Sequence, residues 1–388
     1  MTKTVAVFTG TRADYGLLYW LLKDIEADPA LRLQLVVSGS HLSEELGYTL
    51  QGILDDGFGV DAQVPILSEL DTPVAIAASM GRAVTGVAEA LAKLQPDVLV
   101  ILGDRYEALA AAQAALLLSV PVLHLHGGEI SEGANDDAMR HAITKLSTLH
   151  CTAAEPYRQR VIQMGESPQR VFNVGAIGLD HLTRSSRMDR HALSRSLNWD
   201  LSGPFVVATY HPVTLADEPA KASFEAMLAA LDDYPELKVI LTYPNADEQG
   251  RSLIPALEAY AQQRPERVLA IPSLGQKRYL SAVAEAEMVI GNSSSGLIEV
   301  PALARPTVNI GQRQLGRLAA DSVFHCAANR TAIAQAMAQA LAWRESGQRA
   351  RYLPYGGGDA SGQVVELLKS MPAKPASEFY DLPQKESA

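Results

Sequence analysis

The sequence predicts an α/β protein of two domains, each a parallel sheet with helices wound over both faces. Three observations predict this. Short apolar runs alternate with helical segments along most of the 388 residues, the pattern of strand–helix–strand units. Chemistry-bearing residues follow directly on those runs, at the carboxyl ends of parallel strands, where open α/β sheets bind ligands. The alternation breaks once, in a polar run at 185–204, and then resumes. A chain of this length is too long for one compact core, so the break is read as the connection between domains 1–180 and 181–371. The last helix is allowed to pack back on the first domain, and 372–388 is a polar tail expected to be loosely held.

Taken in order, residues 5–9 form a first strand and GTRADYG at 10–16 turns into a helix. A strand, a glycine turn and a helix start resemble a phosphate site, in which backbone N–H groups face an anion. The motif is neither GxGxxG nor a Walker loop, so neither a dinucleotide site nor an ATPase follows. Arg12 suits a diphosphate, because its guanidinium is a permanently charged fork of donors. A second strand at 33–37 ends in SGSHLSEELG, with His41 just beyond the strand end. Residues 47–71 read as loops with a short strand, and 72–94 carry helical spacing.

The centre of the chain is 97–145. The apolar run 98–102 ends in Gly103, Asp104 and Arg105, an Ala/Leu-rich helix covers 106–118, and the run 121–125 ends in His126-Gly127-Gly128-Glu129. A further helix begins near Asn135, and Asp136 and Arg140 stand at i and i+4, where they can form a preset pair. Each residue has a plain alternative: Asp104 as a helix cap, His126 as a satisfied core histidine, Asp136 with Arg140 as a solvated surface pair. Together, carboxylates, an imidazole and guanidiniums at one rim point to acid/base chemistry beside an anion.

Beyond 145 the strands are 149–153 and 171–174, with a helix at 156–164. A second series starts at 205–209 and runs through 308–309. His211 follows the first of these strands, and Asn245 and Asp247 follow the next. IGNSSSGLIEVPAL at 290–303 reads as strand, polar turn and helix. Ser293, Ser294 and Ser295 offer hydroxyls and N–H groups to phosphate oxygens, and Glu299 lies one turn on, placed for two ribose hydroxyls. Arg313 follows in GQRQLGR. Serine runs at helix starts also serve simply as caps.

With 47% hydrophobic and 20% charged residues the chain can bury a large interior. A net charge of −11 argues against a general nucleic-acid or membrane-surface binder. Two cysteines argue against a disulfide framework or a structural zinc site. No apolar run is expected to span a membrane and the N-terminus reads directly into a strand, so the expected location is cytoplasmic.

TGTRADYG, SGSHLSEELG, LGDRYEALA, GGEISEGANDDAMRHAITKLS, TYHPVT, YPNADEQG and GNSSSGLIEV, in this order over residues 3 to 365, resemble the hydrolysing UDP-N-acetylglucosamine 2-epimerases. The resemblance implies two Rossmann-like domains facing a cleft, a glycosyltransferase-B-like fold. It further implies conversion of UDP-GlcNAc and water to ManNAc and UDP, through elimination to 2-acetamidoglucal and hydration, as the first step toward sialic acid. It implies no metal or nicotinamide cofactor, a UDP-sugar as the molecule bound, and a homodimer or homotetramer. Asp104 and Asp136 match catalytic carboxylates, Arg140 the arginine beside them, and His211 a histidine near the diphosphate. Arg12, Ser293, Ser294, Glu299 and Arg313 match nucleotide contacts. His41, Arg105, Asn245, Asp247 and Ser295 join them as substrate candidates by position, and Glu129 joins the catalytic set.

Two departures stand out. Where many members read HIEGGE this chain reads HLHGGE, so His126 takes a carboxylate's place, and Gly16 stands where some relatives carry serine. The alternative substrate is the UDP-2,4-diacetamido-2,4,6-trideoxy sugar of legionaminic acid synthesis. A sugar transferase of the same fold is a further alternative. It would require an acceptor.

Overall fold

The computed structural model describes residues 2–44, 48–68, 72–130, 135–212, 220–244, 248–372, 374 and 378–382. The chain divides into two compact units, one of residues 1–181 with 358–388 and one of residues 182–357. In the first, β1 (Lys3–Thr9), α1 (Arg12–Ala27), β2 (Leu31–Ser38), α2 (Leu50–Asp55), β3 (Ala62–Val64), α3 (Pro73–Leu94) and β4 (Val98–Leu102) follow in order. They are succeeded by α4 (Tyr106–Leu117), β5 (Val122–Leu125), α5 (Asn135–Leu146), β6 (Leu149–Thr152), α6 (Glu155–Gln163) and β7 (Val171–Asn173). The chain leaves through α7 (Asp180–Arg184).

The second unit contains α8 (Arg190–Leu197), β8 (Phe205–Thr209), α9 (Ala220–Leu231), β9 (Lys238–Thr242), α10 (Glu248–Gln262), β10 (Val268–Ile271) and α11 (Gly275–Glu285). β11 (Val289–Gly291), α12 (Ser295–Ala302), β12 (Thr307–Ile310), β13 (Val323–Cys326) and α13 (Arg330–Glu345) complete it, and α14 (Ala360–Ser370) returns to the first unit.

Both sheets are parallel. Their strand orders are β3-β2-β1-β4-β5-β6-β7 and β10-β9-β8-β11-β12-β13. Each order reverses once, between β1 and β4 and between β8 and β11. Beyond those strand ends a doubly wound sheet opens its crevice, since the flanking loops diverge to opposite faces. Side-chain alternation explains why both faces are covered. Val5 and Val7 of β1 pack into a core that includes Leu18 and Leu22 of α1, while Ala6 and Phe8 pack with Ala83 and Val87 of α3. In β8, Val206 and Ala208 face Phe224 of α9, and Phe205 and Val207 face Val283 of α11.

The structure bears on the expected organisation at five places. Residues 358–371 belong to the first unit, because that unit supplies the backbone partners of α14. The Asp180 carboxylate accepts the N–H groups of Asp359, Ala360 and Ser361 at 2.7–2.8 Å, and Lys3 Nζ donates to the carbonyls of Leu368 and Met371 at 2.8 and 2.7 Å. The polar run 185–204 contains α8, capped by Asp189, whose carboxylate accepts Ala192 N–H at 2.7 Å; Leu193 is buried and Leu197 packs on the same core. The alternation continues past Asn309 with β13 and α13.

Helix α3, at 22 residues with a mean hydropathy of 1.3, is long and apolar enough to cross a membrane by length and composition. Its apolar residues are alanines mixed with valines, leucines, an isoleucine and a methionine, and Ser79, Ala83, Val87 and Leu91 are buried. Finally, part of the tail is docked. Tyr380 donates its N–H to Gly165 O at 2.9 Å, and the Lys145 ammonium lies 5.1 Å from the Phe379 ring centre.

Candidate active site

The turn after β1 does not present an open anion site. Its anion is internal: the Asp14 carboxylate accepts the N–H groups of Gly10, Thr11 and Tyr15 at 2.8–2.9 Å and the hydroxyls of Thr9 and Thr11 at 2.9 Å. A capping box with Thr11 completes the arrangement. The orphan N–H groups and the positive end of the helix dipole are thereby satisfied. Arg12, at the first position of α1, is exposed and makes no ion pair among the described residues. His41 is likewise turned inward, away from the substrate position expected for it. It is fully buried, its two ring nitrogens 3.0 and 2.8 Å from the hydroxyls of Thr9 and Thr49, and burial pushes its pKa down. A neutral imidazole with both nitrogens engaged joins β1 to α2 and has nothing to offer a ligand.

The ends of β4 and β5 and the start of α5 do assemble charged groups. Arg140, almost wholly buried, hydrogen-bonds Asp104 Oδ2 through Nη2 and donates Nη1 to Glu129 O at 2.9 Å. Its partner on its own helix is Asp137, at 3.5 Å, rather than Asp136. The spacing alone allowed either; the direction in which Arg140 reaches, toward Asp104, selects the i−3 carboxylate.

Asp136 stands on the exposed side of the first turn, beside the same cluster. Partial desolvation, and then the charge of Asp104, hold its carboxyl above the usual range, against the pull of Arg105 and Arg140. One carboxylate is ion-paired and its neighbour gives up its proton less readily than an ordinary aspartate. That asymmetry is what separate base and acid roles require.

His126 sits in the left-handed backbone region at φ 64°, uncommon for a residue with a side chain. Its Nδ1–H donates to Glu129 Oε1 at 2.9 Å, and its Nε2 accepts the N–H of Ile177 at 3.2 Å. Both ring nitrogens are thus engaged within the protein, and Nδ1–H ties the histidine to the buried Glu129.

Sequence reasoning missed Glu107. It is 2% exposed, accepts Arg105 Nε–H at 2.5 Å, and its other oxygen is buried without a hydrogen bond. Burial raises its pKa, opposed by Arg105. The Arg105 side chain is 51% exposed and its terminal nitrogens make no hydrogen bond to the described residues. A buried carboxylate thus aims a half-exposed guanidinium. The available signal was a lone acid on the apolar helix YEALAAAQAALL.

The second unit has its own cluster at the β8/β11 reversal. Gly291 has φ 136°, and a Cβ there would lie 1.8 Å from Thr209 O, so only glycine permits β11 to end beside β8. Next to it the buried Asn292, also missed from sequence, clamps the backbone of His211. Its Oδ1 accepts His211 N–H and its Nδ2 donates to His211 O, both at 2.7 Å. Its carbonyl accepts Arg313 Nη1 at 3.0 Å and Gln314 Nε2 at 2.8 Å.

His211, Arg313 and the start of α12 are therefore brought together through one asparagine. Ser293, Ser294 and Glu299 are half-buried there, and Ser294 makes no side-chain cap. The Ser295 hydroxyl lies 2.7 Å from Tyr279 OH, a partner within the protein rather than a phosphate. Asn245 and Asp247 lie outside the described residues. No group of three His, Cys, Asp or Glu among the described residues is arranged to hold a metal ion.

The family model described as UDP-N-acetylglucosamine 2-epimerase matches residues 23–369. Among curated proteins, the chain is 36% identical over 322 residues to the GDP/UDP-N,N'-diacetylbacillosamine 2-epimerase (hydrolyzing) of Campylobacter jejuni, covering 83% of this chain and 84% of that one. It is 34% identical over 374 residues to the UDP-N,N'-diacetylbacillosamine 2-epimerase (hydrolyzing) of Legionella pneumophila, covering 96% and 97%. Among solved structures, that of UDP-GlcNAc 2-epimerase from Neisseria meningitidis bound to UDP-GlcNAc matches with a TM-score of 0.79 at 17% identity, over 95% of this chain and 100% of that one. The likeness shows a shared fold, the glycosyltransferase-B-like one expected from the sequence.

Proposed function

Because this chain belongs to the UDP-N-acetylglucosamine 2-epimerase family, we propose that it is a hydrolysing UDP-sugar 2-epimerase, converting UDP-GlcNAc and water to ManNAc and UDP. The observation that carries the reading is the unequal carboxylate pair, Asp104 bound to Arg140 and Asp136 with a raised pKa beside it. The C2 proton of the sugar is weakly acidic. A base must remove it as the C1–O bond to UDP breaks, leaving a C1=C2 double bond in 2-acetamidoglucal. Water then adds its oxygen at C1, and an acid delivers a proton to C2 from the opposite face, which inverts that carbon.

In this reading Asp104 and Asp136 divide the two proton transfers. Arg105, aimed by Glu107, stabilises negative charge on the departing diphosphate. In the second unit, Arg313, the Ser293–Ser294 turn and His211 serve the nucleotide, with Glu299 on the ribose. Arg12 is retained as a diphosphate contact, supported by its exposure and its lack of an ion pair among the described residues.

A second reading of the substrate is favoured by these two curated relatives, both named for N,N'-diacetylbacillosamine. Here the sugar is the UDP-2,4-diacetamido-trideoxy compound and the reaction is unchanged. The free thiols Cys151 and Cys326 support a reducing, cytoplasmic setting, and exposed Leu116, Leu117 and Leu118 support a homodimer or homotetramer.

Incubation with each UDP-sugar in heavy water, followed by NMR, tests the proposal. The expected products are UDP and the free manno-configured sugar carrying deuterium at C2, formed without an acceptor. With oxygen-18 water the label enters at C1. Retention of the original C2 hydrogen, or a need for an acceptor sugar, would sink the epimerase reading. The higher kcat/KM of the two sugars assigns the substrate.

A further inference from the structure

His124 lies inside β5, two residues before the HGGE turn, and is wholly buried. Its Nε2–H donates to the carbonyl of Gly103 at 2.8 Å. This fixes the tautomer, so Nδ1 is an acceptor. The Thr144 hydroxyl has one proton to give and shares it between two acceptors, Nδ1 at 3.3 Å and the Arg140 carbonyl, one helical turn earlier on α5, at 3.0 Å. Burial pushes the His124 pKa down to about 3, so the ring is neutral at any working pH and performs no proton transfer.

These contacts close a ring. It runs from Gly103 through His124 and Thr144 to the backbone of Arg140, and from the Arg140 guanidinium back to Asp104, the residue after Gly103. Gly127 is part of the fit: a Cβ there would stand 3.0 Å from His124 Nδ1 and 3.1 Å from Thr144 Oγ1.

We propose that His124 is a positioning residue that acts with Thr144 to hold the end of β4 and helix α5 at the separation the Asp104–Arg140 pair requires. The inference rests on the reading of Asp104 and Arg140 as groups of the active site. A packing role alone would not need both ring nitrogens, since an apolar ring would fill the space. A brace needs both, because one nitrogen reaches a strand-end turn and the other reaches a helix.

Thr144→Val keeps the side-chain volume and removes the hydroxyl, so it is the principal test. Thr144→Ser, His124→Asn, the double variant and Asp104→Asn accompany it. The expected result for Thr144→Val is a fall in kcat of about tenfold, with KM for the UDP-sugar and the Kd for UDP within about twofold of the parent. Thr144→Ser should restore kcat. His124→Asn should lose as much as Thr144→Val or more, and adding Thr144→Val to it should cost little further, because both cut the same ring.

The pH profile is the readout that packing would not move. The groups acting on Asp136 are Asp104, Arg105 and Arg140, so displacing Arg140 should shift the limb that reports Asp136 in Thr144→Val and leave it in place in Thr144→Ser. Parent-like kcat and pH profile in Thr144→Val, with only a lower melting temperature, would overturn the brace. If His124→Asn fails to fold, Thr144→Val decides alone. Asp104→Asn separates the two levels of the argument. Full activity in that variant removes the site reading and this inference with it, whereas an inactive Asp104→Asn beside a parent-like Thr144→Val removes only the inference.

Discussion

Glu107 sets a test at the scale of one residue. A carboxylate at 2% exposure with one oxygen lacking a hydrogen bond costs stability, and its raised pKa expresses that cost. The folded pKa lies above the unfolded one, so the group's contribution is most favourable at low pH and is lost as pH rises through the folded value. At neutral pH Glu107→Gln should therefore stabilise the protein by on the order of 1 kcal/mol, read as an increase in melting temperature. The same change replaces a charge-assisted hold on Arg105 by a neutral one. KM for the UDP-sugar should rise by roughly fivefold, the equivalent of about 1 kcal/mol. A variant that is both less stable and unchanged in KM would contradict the assignment of Glu107 as the group that aims Arg105. Gly10 enforces the contact from the other side, since a Cβ there would lie 2.7 Å from Glu107 Cγ.

At the scale of the element, α14 is decided by its ends. The Asp180 carboxylate takes the three N–H groups that begin the helix, and Lys3 takes carbonyls at its finish. Both partners are far away in sequence, yet the helix start is the natural place for a carboxylate. Asp180→Ala leaves those N–H groups unpaired in a buried place and should cost about 1.5–3 kcal/mol. Urea denaturation followed by hydrogen exchange should show the loss in α14 and α1, whose packing shares Val364, Leu368 and Leu18. Unchanged exchange in α14 would refute the cap.

For the whole molecule, pH is the informative variable. His41, His124 and His150 are buried in the first unit, and burial lowers the pKa of each. An unfolded histidine titrates near 6.5, so below that the unfolded chain binds protons that the folded one refuses. Stability from these groups is complete above about pH 6.5 and declines as pH falls, with a slope of up to about 1.4 kcal/mol per pH unit for each histidine. Unfolding free energies between pH 7 and 4 should show this slope, and His150→Asn should lessen it by about one proton. A slope indifferent to that substitution would mean that His150 is protonated in the folded state beside Glu166, which lies 3.2 Å from its Nε2.

Much of this molecule is legible in its residues. Apolar runs followed by glycine or a polar, chemistry-bearing residue mark parallel strands ending at a site, and β1, β4, β5 and β8 are readable for that reason. The strand-end positions of Asp104, His126 and His211 are consequences of the same pattern. Chemistry at a strand end depends on what reaches it from elsewhere, and there the residues alone were ambiguous. GTRAD reads as a phosphate turn until Asp14 is seen to fill it. Asp136 and Asp137 have equal claims on Arg140 until Asp104 draws the guanidinium away. His41 and His126 look like ligands until hydroxyls, a carboxylate and an amide take their nitrogens. Periodicity is local, so the sequence by itself determined the elements and their order. Hydrogen-bond satisfaction is set by whichever group arrives across the fold, so the tertiary structure alone decided which side chains are committed inward and which are left for a substrate.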